Sequence, residues 1–178
     1  GSVSAIVVNG QESSVASEGQ EALVILSETP FYAEMGGQIA DTGVIESDTF
    51  KAIVKDVQKA PNGQPLHTVV VESGEMNVGD AVTARVDREK RTLILKNHTA
   101  THLMHRALKD VLGNHVAQAG SYVGPDRLRF DFSHFGPATK EELAQVERAV
   151  NEKIWEDIEV VIQEMDIDSA KAMGAMAL

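Results

Sequence analysis

The 178-residue chain is long enough for one medium domain or two small ones, and its 43% hydrophobic content is typical of a globular protein. A formal net charge of −11 argues against broad, charge-driven binding to nucleic acid, which needs lysine and arginine to displace counterions. Without cysteine, the chain offers neither disulfides nor thiolate ligands, and no apolar run approaches the roughly 20 residues that span a bilayer.

The first half of the chain predicts strands separated by turns. Short apolar or alternating runs recur at a spacing of about 10 to 15 residues, which favours a small antiparallel β-barrel over residues 1–87. Turn-forming residues separate the runs at Asn9-Gly10, Pro61-Asn62-Gly63 and Gly79-Asp80. The predicted strands are Val3–Val8, Ala22–Leu26, Phe50–Val57, His67–Glu72 and Ala81–Asp87.

Near Asp87 the alternating pattern gives way to a helical one. Asp87 can cap a helix that runs to about Leu112 and stops at Gly113. Two strands are predicted after it, at His115–Val123 and Leu128–Ser133. Together these elements predict an α+β fold, in which the barrel is followed by a second domain with a long helix packed on an antiparallel sheet. The apolar stripe of the helix includes Ile94, Leu108 and Leu112, with His98, Thr101 and His105 on the same face.

The last part of the chain predicts a helix, a strand and a further helix. A capping box at 139–142 opens the first helix, a strand is expected at Glu159–Gln163, and Asp168-Ser169 begins the second helix. The apolar end of the chain has no helix-stop signal, so residues 88–178 are expected to form a domain that is truncated at its C-terminus. The first of these helices is expected to bury Leu143, Val146, Val150 and Ile154.

The sharpest chemical feature is the pair His98 and His102. Positions i and i+4 share one face of a helix, so both imidazoles can bind one metal ion. The similar metalloprotease motif has a glutamate after its first histidine, and Thr99 in that place argues against peptide hydrolysis by that mechanism. Taken alone, such a pair is more often a packing or surface feature. Zinc also needs three or four ligands, and His105 lies nearly two turns from His98, too far to share the same ion.

The second feature is the sequence Gly36-Gly37-Gln38. Adjacent glycines let backbone N–H groups approach a ligand closely, and Gln38 offers both a donor and an acceptor. The same tripeptide works at a tRNA 3′ end in peptide release factors, yet on its own it is weak evidence, and a tight turn between strands is then the favoured interpretation.

Two further candidates lie on the strands after the helix. Arg127 and Arg129 can face phosphate, or they can pair with Asp126 and Asp131 on the solvated face of a strand. Gln118 is the other candidate, and its alternative interpretation is an ordinary glutamine at a strand edge.

Three segments in one order resemble the alanyl-tRNA synthetase family. Asn97–Leu103 is similar to the opening of that family's editing site, and Pro125–His134 to the strand that follows it. Thr29–Gly43 resembles the glycine-rich segment of the preceding barrel. The match covers nearly the whole chain. Free-standing alanyl-tRNA editing proteins share the same elements and are the close rival.

The resemblance implies a function in translation. The second domain then corresponds to an α/β editing core, which hydrolyses the ester of tRNA(Ala) mischarged with serine or glycine as part of an alanine–tRNA ligase. A pocket built for alanine rejects these two amino acids poorly, so a second site is needed to remove them. The implied partners are the tRNA(Ala) acceptor end and the remainder of the synthetase, with no DNA or membrane, in the cytoplasm. The alternatives are a tRNA acceptor-end binding module or a structural connector without catalysis.

The resemblance also assigns roles to residues. His98 and His102 are the implied zinc ligands, and the remaining ligands belong to a Cys-x-x-x-His motif beyond this sequence, so the zinc site of the full-length protein is expected to be incomplete here. ATP is expected only in the aminoacylation domain, which this sequence lacks. The implied catalytic residues are Thr101, facing the ester or the amino acid, and Gln118, lining the pocket. The implied substrate-binding residues are Gly36, Gly37, Gln38 and Arg129. Because the resemblance places the Gly36-Gly37-Gln38 loop and the histidine pair in one site on two domains, and ligand clefts favour domain interfaces, the loop is expected to face the groove that contains His98 and His102. Thr101 has an alternative interpretation as a helix threonine bonded to a backbone carbonyl.

Overall fold

Eight antiparallel strands make up the first half of the computed structural model, which describes residues 1–175. The longer strands bury one face, as β4 shows by burying Ala22, Val24 and Leu26 at alternate positions in the core. The strands are β1 (Val3–Val8), β2 (Gln11–Ser13), β3 (Val15–Ser17), β4 (Glu21–Leu26), β5 (Gly43–Glu46), β6 (Phe50–Lys59), β7 (Pro65–Asn77) and β8 (Thr83–Val86).

The five predicted strands are confirmed as β1, β4, β6, β7 and β8, whereas β2, β3 and β5 were not predicted. The missed strands have three or four residues, too few to show an alternation. The Asn9-Gly10 turn is also confirmed, with φ of 52° and 76°, the left-handed values that a two-residue hairpin between β1 and β2 requires.

The sheet is not closed into the predicted barrel. Its strand order is β2-β1-β4-β7-β6-β5-β8, with β3 paired to β7, so β2 and β8 are edge strands. The N-terminus reaches the segment before β8 through a bridge between Ser2 and Ala81 and a 3.0 Å bond from Val3 N–H to the Asp80 carbonyl. Within residues 1–175 no continuous ladder joins β2 to β8. Closure needs a full ladder between terminal strands, and three-residue β2 is too short to supply one.

The helix after the sheet has the predicted bounds. α1 (Arg88–Leu112) begins at Asp87, whose side chain accepts from Lys90 N–H, and ends at Gly113. Its 25 residues are not exceptional, since helices in globular proteins reach about 40 residues. No described helix combines the length and the hydropathy that a membrane crossing requires.

The antiparallel sheet beside α1 has only two described strands, β9 (Gln118–Val123) and β10 (Leu128–Phe132). α2 (Lys140–Trp155) packs on α1, and together these elements enclose a second hydrophobic cluster, separate from the core of the larger sheet. The division into domains 1–87 and 88–178 stays a prediction. The fully buried members of the cluster are Ala107, Leu108, Val116 and Val146.

The predicted start of α2 is confirmed, but its predicted buried face is confirmed only in part. Thr139 and Glu142 form the reciprocal capping box. Val146 is buried and Val150 packs on the same cluster, whereas Leu143 and Ile154 are about half exposed at 51% and 50%. The prediction for those two was wrong because α2 packs mainly on α1, along one strip.

The predicted strand at Glu159–Gln163 is also wrong. This stretch is irregular and exposed, because no described strand lies beside it to complete a ladder. A helix does follow, as α3 (Ile167–Ala172) with Asp166 as its N-cap, two residues before the predicted start. The predicted end of this helix at Leu178 lies outside the described residues.

The one fully buried histidine of the large sheet is expected to make stability depend on pH. His67 donates from Nδ1 to the Val24 carbonyl at 2.9 Å, and its Nε2 accepts from Thr29 Oγ1 at 2.8 Å. Burial lowers the pKa of His67 below its ordinary 6.5, although the bond to Val24 partly opposes this. The unfolded chain therefore takes up a proton that the folded chain resists as the pH falls through 6.5.

We predict that the free energy of unfolding, measured in urea, is highest above pH 6.5 and decreases as the pH falls below it. His67→Gln lowers stability at every pH but makes this decrease shallower. Burial also lowers the pKa of His98 and His105, so some decrease remains in the variant. An identical pH dependence in the wild type and the variant would contradict the prediction.

Candidate functional site

His98 and His102 lie one turn apart on one face of α1, as predicted. Their ring centroids are 5.1 Å apart and their planes differ by 17°, so the two imidazoles are stacked. His98 is partly buried and His102 is exposed, which leaves the pair open to solvent on one side. His105, further along the same helix, is buried against the ring of Phe130 at 5.0 Å and belongs to the core.

The glycine-rich segment brings Gln38 to His98. Gln38 is 5% exposed, and its Oε1 lies 2.6 Å from Nδ1 of His98. The expected proximity of the Gly36-Gly37-Gln38 loop to the histidine pair is therefore confirmed at His98. An amide oxygen accepts hydrogen bonds and cannot donate them, so this contact is a hydrogen bond when Nδ1 of His98 carries the proton.

Backbone pairing with β9 holds the loop in place. The Gly37 carbonyl accepts from Val123 N–H at 2.8 Å, and Ile39 N–H donates to the Val123 carbonyl at 3.1 Å. Gly37 has a φ of 82°, and a Cβ at this position would lie 2.3 Å from Ser121 Oγ. Glycine is therefore required at residue 37 by both its backbone conformation and its closeness to β9.

A buried ion pair fastens the other end of the glycine-rich segment to α1. Asp41 is 2% exposed, and its carboxylate accepts from Tyr32 N–H at 2.7 Å and from two nitrogens of Arg91, of which Nε lies at 3.0 Å. Arg91 also donates to the Pro30 carbonyl at 2.9 Å. Since Arg91 lies two turns before His98, both side chains emerge from the same side of α1. Sequence reasoning missed this pair, although Asp41 stands within the glycine-rich segment.

The hydroxyl of Thr101 bonds to a backbone carbonyl of its own helix, which was the alternative interpretation of this residue. Thr101 is 6% exposed, and its hydroxyl donates to the Asn97 carbonyl at 2.8 Å. Asn97, whose role sequence reasoning also missed, donates from Nδ2 to the Gly124 carbonyl at 2.7 Å and ties α1 to the end of β9. The donor of Thr101 is thus used within the helix, and its role at an ester stays a prediction.

Hydrogen bonds link Gln118 to the glycine-rich loop. Its Nε2 donates to Ser121 Oγ at 3.2 Å, and this hydroxyl donates to the Gly36 carbonyl at 3.3 Å. Gln118 is exposed on β9, with its amide close to the loop that carries Gln38. Its proposed place in a pocket, and the substrate role of Gly36 and Gly37, stay predictions.

Arg129 does not lie beside the histidine pair and the glycine-rich loop. It lies on the face of β10 opposite Phe130, whose ring packs toward α1. Its side chain is exposed and pairs with Asp131 at 3.1 Å, the alternative that the sequence had left open. Arg127 instead lies over the ring of Tyr122, at 5.6 Å from its centroid. A substrate role for Arg129 stays a prediction.

The two histidines fit part of a zinc site. Burial and then the neighbouring His102 lower the pKa of His98, which favours the neutral imidazole that binds metals. His98 and His102 offer two nitrogen ligands, and within residues 1–175 no group of three or more histidine, cysteine or acidic residues is placed to hold an ion. A closed zinc site needs four ligands, so the histidines form part of the set that zinc requires.

Comparison with known proteins identifies the family. The model described as "tRNA synthetases class II (A)" matches residues 1–90, about half of the chain. The chain belongs to the class II (A) tRNA synthetase family. Within this family it is similar to proteins named alanine–tRNA ligase. It is 77% identical to that of Lysinibacillus sphaericus (strain C3-41) over 99% of the chain and 61% identical to that of Geobacillus thermodenitrificans (strain NG80-2) over the same share.

A third relative, from Listeria monocytogenes serotype 4b (strain F2365), is 65% identical over 90% of the chain. The chain spans 19%, 20% and 18% of these three ligases, about a fifth of their length.

We predict that the glycine-rich loop of this synthetase-family chain tolerates alanine at residue 36 better than at residue 37. Both glycines have positive φ, but a Cβ at Gly36 meets no atom within 4 Å, whereas one at Gly37 meets Ser121. Gly36→Ala should lower the free energy of unfolding by about 1 kcal/mol through backbone strain. Gly37→Ala adds about 1–3 kcal/mol because it overpacks the contact with β9. Urea unfolding measures both, and equal losses would argue against the close approach.

We also predict that Asp41→Asn destabilises the chain far more than the same change at Asp110. Asp41 is buried and leaves Arg91 without its charge partner, which costs about 3 kcal/mol, the lower end of the usual range because a third of the Arg91 side chain is exposed. Asp110 pairs with Arg106 on the exposed surface of α1, where a pair contributes about 0.5 kcal/mol. Similar losses in thermal or urea unfolding for both variants would contradict the prediction.

Proposed function

We propose that this chain is the editing part of an alanine–tRNA ligase and hydrolyses the ester that joins serine or glycine to tRNA(Ala). The observation that carries the proposal is the contact of Gln38 with His98, which combines the glycine-rich loop and the histidine pair in one groove. The similarity to alanine–tRNA ligases over 99% of the chain supports the choice of tRNA. As part of the translation machinery, the chain would act in the cytoplasm.

The geometry suits hydrolysis of a small ester. His98 presents a neutral ring with its Nε2 lone pair available, and the exposed ring of His102 stacks beside it. These nitrogens would hold zinc together with ligands from the rest of the protein, and zinc, when bound, polarises a carbonyl and activates water. The exposed ring of His102 leaves the pair open to solvent, and we infer that the terminal nucleotide of a tRNA approaches from this side.

The amino acid would be recognised by polar groups near the loop. A polar side chain that bonds to a serine hydroxyl discriminates well against alanine, because alanine leaves that side chain unpaired. Gln118 suits this role because its amide lies on the solvent-exposed side of β9 and is linked through Ser121 to Gly36. The backbone of Gly36 and Gly37, together with Thr101, would border the same pocket.

A second candidate function is binding of the tRNA acceptor end without catalysis. It is favoured because the histidine pair supplies only two of the ligands that zinc needs, and no third ligand is placed beside them within residues 1–175. The net charge of −11 weighs against it, because a free-standing binding module relies on cationic contacts with phosphate. Catalysis is the discriminating property.

The test is deacylation of Ser-tRNA(Ala) by the longer ligase that contains this chain. We predict that His98→Ala lowers the deacylation rate by about 100-fold or more, since loss of a group that acts in proton transfer or metal binding has effects of this size. Gln118→Ala should reduce serine removal with little change in stability. The matched control is Gln58→Ala, at an exposed glutamine of β6 that bonds to Asp56 and Glu34. Alanylation of tRNA(Ala) should stay unchanged in all three variants.

Unchanged deacylation in His98→Ala would refute catalysis at this groove. Retained binding of Ser-tRNA(Ala) in that variant, measured by filter binding, would then support the binding module.

A further inference from the structure

His98 and His102 are chemically unequal, although they share one helix face. A neutral imidazole carries one proton, and the partner of one ring nitrogen decides which nitrogen remains free. Nδ1 of His98 lies 2.6 Å from Gln38 Oε1. The ring of His102 has no hydrogen bond to any of residues 1–175 and is exposed beside its neighbour. One ring is therefore fixed by a buried partner, and the other is free to choose its tautomer.

Gln38 is held rigidly enough to impose this choice. Its backbone N–H donates to the Met35 carbonyl at 3.1 Å, and its own carbonyl accepts from Met35 N–H at 3.3 Å. A parallel bridge joins Gln38 to Val123 of β9, and the Asp41–Arg91 pair fastens the segment three residues later. Because Gln38 is buried, its side chain has little freedom to rotate away from His98.

We propose that Gln38 is a positioning residue, which holds His98 in the Nδ1–H tautomer and directs the Nε2 lone pair into the open groove. The glutamine then acts through the histidine and need not touch substrate, as the sequence had suggested it would. The use of Nε2 by a divalent cation of the zinc class rests on the proposed function. The tautomer itself does not, because it follows from the contact between Gln38 and His98.

The proposed arrangement has a chemical consequence. A donor bond from the far nitrogen of an imidazole fixes the ring orientation and strengthens the near nitrogen as a ligand, and loss of such a partner typically weakens metal binding by about 10- to 100-fold. His102 lacks this support within the described chain, so His98 would be the stronger and more precisely placed ligand of the two. Gln38 would thus orient His98 as a metal ligand before a metal binds.

The experiment reads the protonation of each ring nitrogen by ¹H–¹⁵N NMR of the whole chain with labelled histidine, at a pH where the rings are neutral. In the wild type we expect the Nδ1–H form to dominate at His98. Gln38→Glu keeps an acceptor oxygen and should preserve that form, whereas Gln38→Leu removes the acceptor and should abolish its dominance. Gln58→Leu is the control for loss of an amide elsewhere, and the His102 signals serve as the internal control in every sample.

Three results would overturn the proposal. A dominant Nε2–H form at His98 in the wild type would mean that Gln38 donates its amide N–H instead. An unchanged His98 pattern in Gln38→Leu would mean that another group sets the tautomer. If Gln38→Leu does not fold, Gln38→Glu still decides, because loss of the Nδ1–H form beside an acceptor-only carboxylate contradicts the mechanism. A failure of ester hydrolysis with the expected tautomers would refute the proposed function and leave the role of Gln38 intact.

Discussion

The buried carboxylate of Asp41 is the constraint on which the candidate site depends. A charge with 2% exposure is stable only when it is paired and hydrogen-bonded, and Arg91 together with Tyr32 N–H meets that requirement. Because Arg91 belongs to α1 and Asp41 to the glycine-rich segment, satisfying the charge brings these two elements together. Gln38 then reaches His98 two turns further along the helix. An ion pair on the surface would not hold the two elements together in this way, because it contributes little to stability and is easily broken.

Three elements meet at this point, and each is tied to the other two. The loop pairs its backbone with Val123, α1 holds the end of β9 through Asn97, and the loop and the helix share the contact of Gln38 with His98. Most of these bonds use backbone groups whose positions the surrounding secondary structure fixes. Polar groups of this kind lose little freedom when a ligand binds, which is the condition for a preorganised site. The acidic character of the chain as a whole is compatible with the proposed site, because the proposed recognition would rely on placed hydrogen bonds.

Local patterns predicted the parts of the fold that local physics decides. Alternation gave five strands, and the capping residues Asp87 and Thr139 marked both helix starts correctly. The predictions of a closed barrel and of a strand at Glu159–Gln163 were wrong. Both depend on a distant partner strand, which the spacing of hydrophobic residues does not reveal. The meeting of Gln38 with His98 was anticipated through the family resemblance, whereas the Asp41–Arg91 pair gave no signal in spacing or composition. Thr101 shows the same limit, since its position on the helix face was predicted correctly but the acceptor of its hydroxyl was not.

The separation of the contacting residues along the chain has a consequence for folding. Gln38 and His98 are 60 residues apart, and Asp41 and Arg91 are 50 apart. Closing such loops costs chain entropy before the contacts stabilise the fold, so we expect these contacts to form after the hairpins and α1. The groove therefore does not exist in either half of the chain alone. A nascent chain emerging from the ribosome would complete the helix before the helix and the loop lock together, and the histidines would acquire their distinct environments in that last step.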